Sequence, residues 1–145
     1  MKKLRVYLDN SCFNRPYDDQ SQLRIELETK SKLFIQKLIT DKKIDLVISY
    51  ISELENSDNP FAVRQIAIED FFKYSVLNIE ENDEIISIAE NIKKTGVKTK
   101  DSLHVACAIF AECDYFLSTD KRLLKYQDKR ISIINPVDFI FKEEA

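Results

Sequence analysis

Short runs of β-branched and aromatic residues alternate with longer segments of helical periodicity along the whole chain, and this alternation constrains the fold more than any other feature. Leu4 to Leu8, Asp45 to Ser49, Ser75 to Ile79, Tyr115 to Ser118 and Ile131 to Ile134 read as strands. Helical spacing or helix-boundary residues mark Ser21 to Thr40, Tyr50 to Asn56, Phe61 to Phe72, Asp83 to Lys94 and Lys100 to Glu112. Thr99 is the expected cap of the last of these, Lys121 to Tyr126 a helical turn or two, and Pro136 the start of a terminal helix. Within the longest helix, Leu23, Leu27, Phe34, Ile35, Leu38 and Ile39 form the expected buried stripe. Asp9-Asn10-Ser11 reads as a cluster that favours a turn or a helix cap, and Arg15 to Asp19 as a loop. Strands and helices in this order predict an α/β fold, a parallel sheet with helices on both faces.

The 145 residues, 44% apolar, suit a single domain over 1–145, and neither a repeat nor a linker divides them. A chain of this length buries roughly 70% of its unfolded surface and needs no disulfide or structural metal. Gly96 is the only glycine, which excludes the glycine-rich phosphate loops of P-loop and dinucleotide-binding proteins. His104 is the only histidine, so one chain cannot build a two-histidine zinc or iron site, and oxygen is the expected ligand of any metal. Cys12, Cys107 and Cys113 form no C-x-x-C pair and read as buried small hydrophobes, which fits a reducing cytoplasm. The longest wholly apolar run, Val105 to Ala111, is far shorter than the ~20 residues of a membrane span. Lys2-Lys3-Leu4 leads into a strand rather than a signal-peptide core. A net charge of -3 supplies no global attraction for nucleic acid, so any such binding needs local basic patches.

Ligands of open parallel sheets bind beyond the carboxyl ends of the strands, and acids stand at those places here. Asp9 follows the first strand, Glu53 and Glu55 follow the second, and Asp120 follows the strand that ends at Ser118. Asp101 lies in the first turn of the helix that leads into that strand. Singly, each has an ordinary role available, as a helix cap or as a charge at a helix start. Converging, they repel one another unless a divalent cation sits between them, and an all-oxygen set suits Mg²⁺ or Mn²⁺.

Tyr7-Leu8-Asp9-Asn10-Ser11, the stretch Lys100-Asp101-Ser102-Leu103-His104-Val105-Ala106-Cys107-Ala108 and the later Ser118-Thr119-Asp120-Lys121-Arg122-Leu123 together resemble the PIN-domain nucleases, many of which are VapC-type toxins. The resemblance runs over nearly the whole chain. It implies a three-layer α/β/α fold with a mostly parallel sheet, and Mg²⁺- or Mn²⁺-dependent hydrolysis of RNA by a metal-activated water. Carried over by position, the acidic set falls on Asp9, Asp101, Asp120 and a glutamate after the second strand. Family spacing favours Glu55 over Glu53, and residues two apart on a helix face opposite ways. Ser11 and Thr119 are the expected hydroxyl partners of these carboxylates. Arg15, Lys121 and Arg122 are the expected phosphate contacts, with Lys93, Lys94, Lys98 and Lys100 as a second basic stretch. His104, one helical turn beyond Asp101, reads as a packed core residue. A separate antitoxin chain and a homodimer are further implications of the family.

Other readings fit less well. A haloacid-dehalogenase-like phosphatase needs a second acid where Ser11 stands, and a receiver domain needs an acidic pair at the first strand. A Ser-His-Asp triad lacks its nucleophile elbow. The alternative from another class is a non-catalytic module of the same fold that binds protein or RNA.

Overall fold

A computed structural model describes residues 3–144; Met1, Lys2 and Ala145 lie outside it, and with them part of the Lys2-Lys3-Leu4 reading. Five strands, β1 (Arg5–Leu8), β2 (Asp45–Ser49), β3 (Leu77–Ile79), β4 (Tyr115–Leu117) and β5 (Ser132–Ile134), form one sheet in the order β3-β2-β1-β4-β5. Every neighbouring pair is parallel. Seven helices connect or follow them: α1 (Asn10–Asn14), α2 (Leu23–Thr40), α3 (Tyr50–Ser57), α4 (Ala62–Phe72), α5 (Asp83–Lys93), α6 (Thr99–Phe110) and α7 (Pro136–Glu144). The α/β expectation is met.

Side chains alternate across the strands, so each strand supplies both cores. Val6 and Leu8 of β1, Leu46 and Ile48 of β2, and Leu117 of β4 enter one core with residues of α1, α2, α4 and α7. Tyr7, Val47 and Phe116 point the opposite way into a core shared with α5 and α6. Tyr7 and Phe116 stack there with ring centroids 5.3 Å apart. Cys12, Cys107 and Cys113 are free and buried. No helix among the described residues is long and apolar enough to cross a membrane.

Three local expectations are corrected. Asp9 stands at the cap of α1, one of the two roles expected of its cluster, but the loop expected from Arg15 begins instead with a 3-10 turn, Arg15–Tyr17, in which Pro16 suits the first helical positions. Thr99 is the first helical residue of α6 and not its cap, because the first backbone bond runs from Ser102 N–H to Lys98 C=O at 2.8 Å. The α2 stripe is rotated: Leu23, Leu27 and Phe34 are exposed, whereas Ile25, Glu28, Thr29, Lys32, Ile35 and Ile39 are buried. A helix with apolar residues on several sides has no single face that its own sequence selects, and here the partners of Glu28 and Lys32 decide. The end of α5 behaves as expected, with Gly96 at φ +106°, a conformation that other residues adopt only with strain.

Candidate active site

From β1 the chain winds outward through β2 and β3, then returns to the other side of β1 with β4. The reversal lies between β1 and β4, and the crevice beyond their carboxyl ends is where such sheets place ligands. Leu8 pairs with Leu117, so the residues just past the strands, Asp9 and Ser118, are neighbours by register.

Asp9 occupies the cap position of α1, yet its side chain makes no capping bond. One carboxylate oxygen, Oδ2, instead accepts from Ser11 Oγ at 3.0 Å and from Ser118 Oγ at 2.8 Å. Both hydroxyls are oriented by backbone amides: Thr119 N–H donates to Ser11 Oγ at 3.1 Å and Asp120 N–H to Ser118 Oγ at 3.0 Å. Oδ1 has no hydrogen-bond donor among the described residues. The expected hydroxyl of Thr119 is thus corrected to that of Ser118, because strand register puts Ser118 beside Asp9 and leaves Thr119 to contribute its backbone.

Asp101 on α6 and Asp120 after β4 are half-buried and line one cleft of about 490 Å³, together with Lys98 and Arg122. The Asp120 carboxylate accepts from the backbone N–H of Arg122 at 2.9 Å. Burial pushes the Asp9 carboxyl above its ordinary range, and Glu55 adds to this, while His104 and the two serines pull it back. Asp101 is pushed up to about 6, first by burial and then by the charges of Asp9 and Asp120, with a smaller contribution from Glu55. Asp101 therefore shares one electrostatic neighbourhood with the other acids, although it opens a helix whose dipole favours its ionised form.

Of the two glutamates after β2, Glu53 is exposed and lines a separate hollow with Asn56 and Gln65. Glu55 is half-buried, and its Oε1 lies 2.6 Å from His104 Nε2. His104 is fully buried as expected, but it is bonded on both sides: Nδ1 lies 2.6 Å from the Tyr7 hydroxyl. That hydroxyl also meets Ser49 Oγ at 2.6 Å and Ser52 Oγ at 3.1 Å. In the sequence, Tyr7, Ser49 and Ser118 read as parts of strands and motifs and Ser52 as part of a helix, none of them as a site residue. A signal was present for Tyr7, a polar-tipped side chain between the apolar Val6 and Leu8, two residues before Asp9.

Among the expected phosphate contacts, Lys121 and Arg122 are exposed beside Asp120. Lys93, Lys94, Lys98 and Lys100 are exposed as well. Arg15 is instead held in ion pairs, with Glu28 at 2.7 Å and Asp18 at 3.0 Å. A guanidinium committed to two carboxylates is not free for a phosphate, and Arg15 serves the packing of α2. A larger hollow of about 860 Å³ follows the open edge of β5 near the Asp128 and Arg130 ion pair, away from these acids.

Among the described residues no three His, Cys, Asp or Glu side chains stand together as a ready metal cage. The donor set nevertheless fits a hard divalent cation. It is all oxygen, its members raise one another's proton affinity, and an oxygen of Asp9 is left without a donor. Mg²⁺ keeps several of its waters and is bound through one or two carboxylates, so it needs no closed cage. Asp9, Asp101 and Asp120 could hold it directly or through water, with Glu55 beside them.

No protein-family model matches the sequence, and no curated protein matches it. Among solved structures, a chain of VapBC2 from Rickettsia felis, crystallised bound to a DNA fragment from their promoter, is similar with a TM-score of 0.59. The match covers 91% of this chain and 98% of that one at 14% sequence identity. At that identity the likeness is one of fold, and the chain has the PIN-like α/β/α fold around a parallel five-stranded sheet.

Proposed function

We propose that this chain is a divalent-metal-dependent ribonuclease, the toxin component of a toxin-antitoxin pair. The observation that carries the reading is that Asp9 and Asp120 follow the two strands flanking the reversal point of the sheet, and that Asp101 is raised to about 6 first by burial and then by the charges of those two acids. Acids that only stabilised the fold would be matched by cations; Asp9, Asp101 and Asp120 have no ion-pair partner among the described residues. Asp9, Asp101 and Asp120 would hold Mg²⁺ or Mn²⁺, with Glu55 orienting water at the same place. When bound, the cation would neutralise phosphate oxygens and acidify the attacking water.

The residues of the chain supply the rest. Ser11 and Ser118 hold one oxygen of Asp9 and present the other. The Arg122 amide fixes Asp120 at the rim of the cleft. Lys98, Lys121 and Arg122 are exposed around that rim, where they would meet the phosphates of an RNA strand. The similar solved structure contains VapBC2 on promoter DNA, which supports a separate antitoxin chain as a partner here. A homodimer belongs to the same reading.

Incubation of the purified protein with total RNA and tRNA in Mn²⁺ or Mg²⁺, beside a chelator control and Asp120→Asn, tests the proposal. The expected result is discrete cleavage that the chelator and the substitution both abolish. Absence of cleavage, with partner binding that Asp9→Asn and Asp120→Asn disrupt, would favour a non-catalytic module of the same fold.

A further inference from the structure

The sole histidine is fully buried near the acids, and the roles assigned so far leave it unused. With Glu55 ionised and the ring neutral, its hydrogen bonds have a self-consistent direction. An ionised Glu55 can only accept, so His104 Nε2–H donates to Oε1. A neutral ring then has Nδ1 as an acceptor, and the Tyr7 hydroxyl donates to it. Burial holds that phenol well above its ordinary pKa, so its proton stays in place as the donor. The Tyr7 oxygen in turn receives the hydroxyls of Ser49 and Ser52. Those serines are already anchored, for Ser49 Oγ accepts the amides of Ile51 and Ser52, and Ser52 Oγ accepts the amide of Ser49. Each proton is used once, and every buried side-chain polar atom from Ser52 to His104 Nε2 has a partner.

Such an arrangement is costly as a mere core. Four polar side chains lie buried where apolar ones would pack without needing partners, and a partly satisfied network would be worse than none. Only the outer end of the chain reaches the candidate site, at Glu55. That carboxylate is half-exposed on α3, and its charge opposes ionisation of both Asp9 and Asp101. Left free, it would turn toward solvent, away from the other acids.

We propose that His104 is a positioning residue that holds Glu55 against this repulsion, with its ring locked from behind by Tyr7 and the Ser49-Ser52 cap of α3. The proposal rests on the ribonuclease reading and assigns no proton transfer to His104. With Oε1 taken, Oε2 of Glu55 has no donor among the described residues and stays available to a water or a cation.

The test is a double-mutant cycle of His104→Ala and Glu55→Ala, read in RNA cleavage at saturating Mn²⁺ and in Mn²⁺ affinity by calorimetry. His104→Ala is expected to lower kcat or Mn²⁺ affinity by about 10- to 100-fold while KM for RNA is retained. In the Glu55→Ala background the same substitution should have no further effect. His104→Gln, which keeps a donor toward Glu55, should recover most of the loss. Tyr7→Phe, close to isosteric, should reproduce part of it in a protein whose circular dichroism is unchanged. Full activity and affinity in His104→Ala, or losses that multiply in the double variant, overturn the proposal while leaving the nuclease intact. A wild type that binds Mn²⁺ without cutting RNA removes the nuclease reading, and the affinity cycle still decides the role of His104. A wild type that neither cuts nor binds Mn²⁺ overturns both.

Discussion

Glu28 and Asp9 are both almost wholly buried acids, and the fold treats them in opposite ways. Glu28 on α2 is surrounded by donors that match it. Arg15 approaches one oxygen through two nitrogens at 2.8 and 2.7 Å, Arg24 stands 3.5 Å away, and the Asn135 amide donates to the other oxygen. Asp9 receives two neutral hydroxyls on one oxygen, has no ion-pair partner among the described residues, and through its charge raises the proton affinity of Asp101. A charge matched within the chain holds α2, the Arg15 turn and the start of α7 together. A charge left unmatched within the chain is the one that the proposed metal would neutralise. Burial alone does not separate the two; the sign of the neighbours does.

The largest effect expected from this contrast is catalytic. Asp9→Asn should lower metal-dependent RNA cleavage by about 100-fold or more, with no loss of melting temperature, because it removes a repelling charge. Cleavage rates and thermal melts of the same preparation check both halves. Arg15→Met should do the reverse. It strands Glu28 without its main cation and is expected to cost about 3 kcal/mol in urea unfolding, while the folded fraction cleaves at the wild-type rate. A stable Arg15→Met protein that fails to bind RNA would return Arg15 to the substrate.

Asp101 sharpens the comparison through pH. Its carboxyl is raised from 3.8 to about 6 in the fold, so the native state holds a proton that the unfolded chain releases between those values. Metal-free protein therefore loses stability from this group as pH rises from about 4 to 6. Asp101→Asn is expected to melt a few degrees higher than wild type above pH 6, and the two should converge below pH 4. Melts across that range without metal test it, and added Mn²⁺ should reverse the order by stabilising wild type alone.

Lys32 is the smallest case and the cationic counterpart. It is buried beside the rings of Phe13 and Phe71, each centroid 5.7 Å from its ammonium, and it donates to Gln36 at 2.7 Å. Burial brings it down from 10.5 to about 8. Lys32→Met should be more stable by about 1 kcal/mol below pH 8, since an apolar side chain of similar volume replaces a desolvated charge. The advantage should fade as pH rises from 8 toward 10.5, where both states of the wild type become neutral. An unchanged difference across that interval would mean that packing, not charge, distinguishes the two.

Much of the architecture was legible in local pattern. Periods of two and of 3.6 mark the strands and helices, and the single glycine falls where a helix needs a left-handed residue. Asp9, Asp101 and Asp120 could be picked out because each sits at a strand end or a helix start, positions that a linear reading can locate. Other features depended on distances along the chain that no local pattern spans. Ser118 partners Asp9 across 109 residues and Tyr7 meets His104 across 97. The rotation of α2 was hidden because Leu23, Leu27 and Phe34 are as apolar as the residues that are in fact buried.

By itself, then, the sequence determined the alternation of elements, the parallel sheet and the acids beyond its strands, all consequences of near-neighbour sterics and side-chain period. Only the tertiary structure decided which hydroxyls hold Asp9, that Arg15 belongs to Glu28, and that Tyr7 and His104 lead to Glu55. Those pairings follow from strand register and from the rotation of each helix against the sheet. Both are fixed by the packing of the whole chain, because a shift of one residue in either would turn the same side chains toward different neighbours.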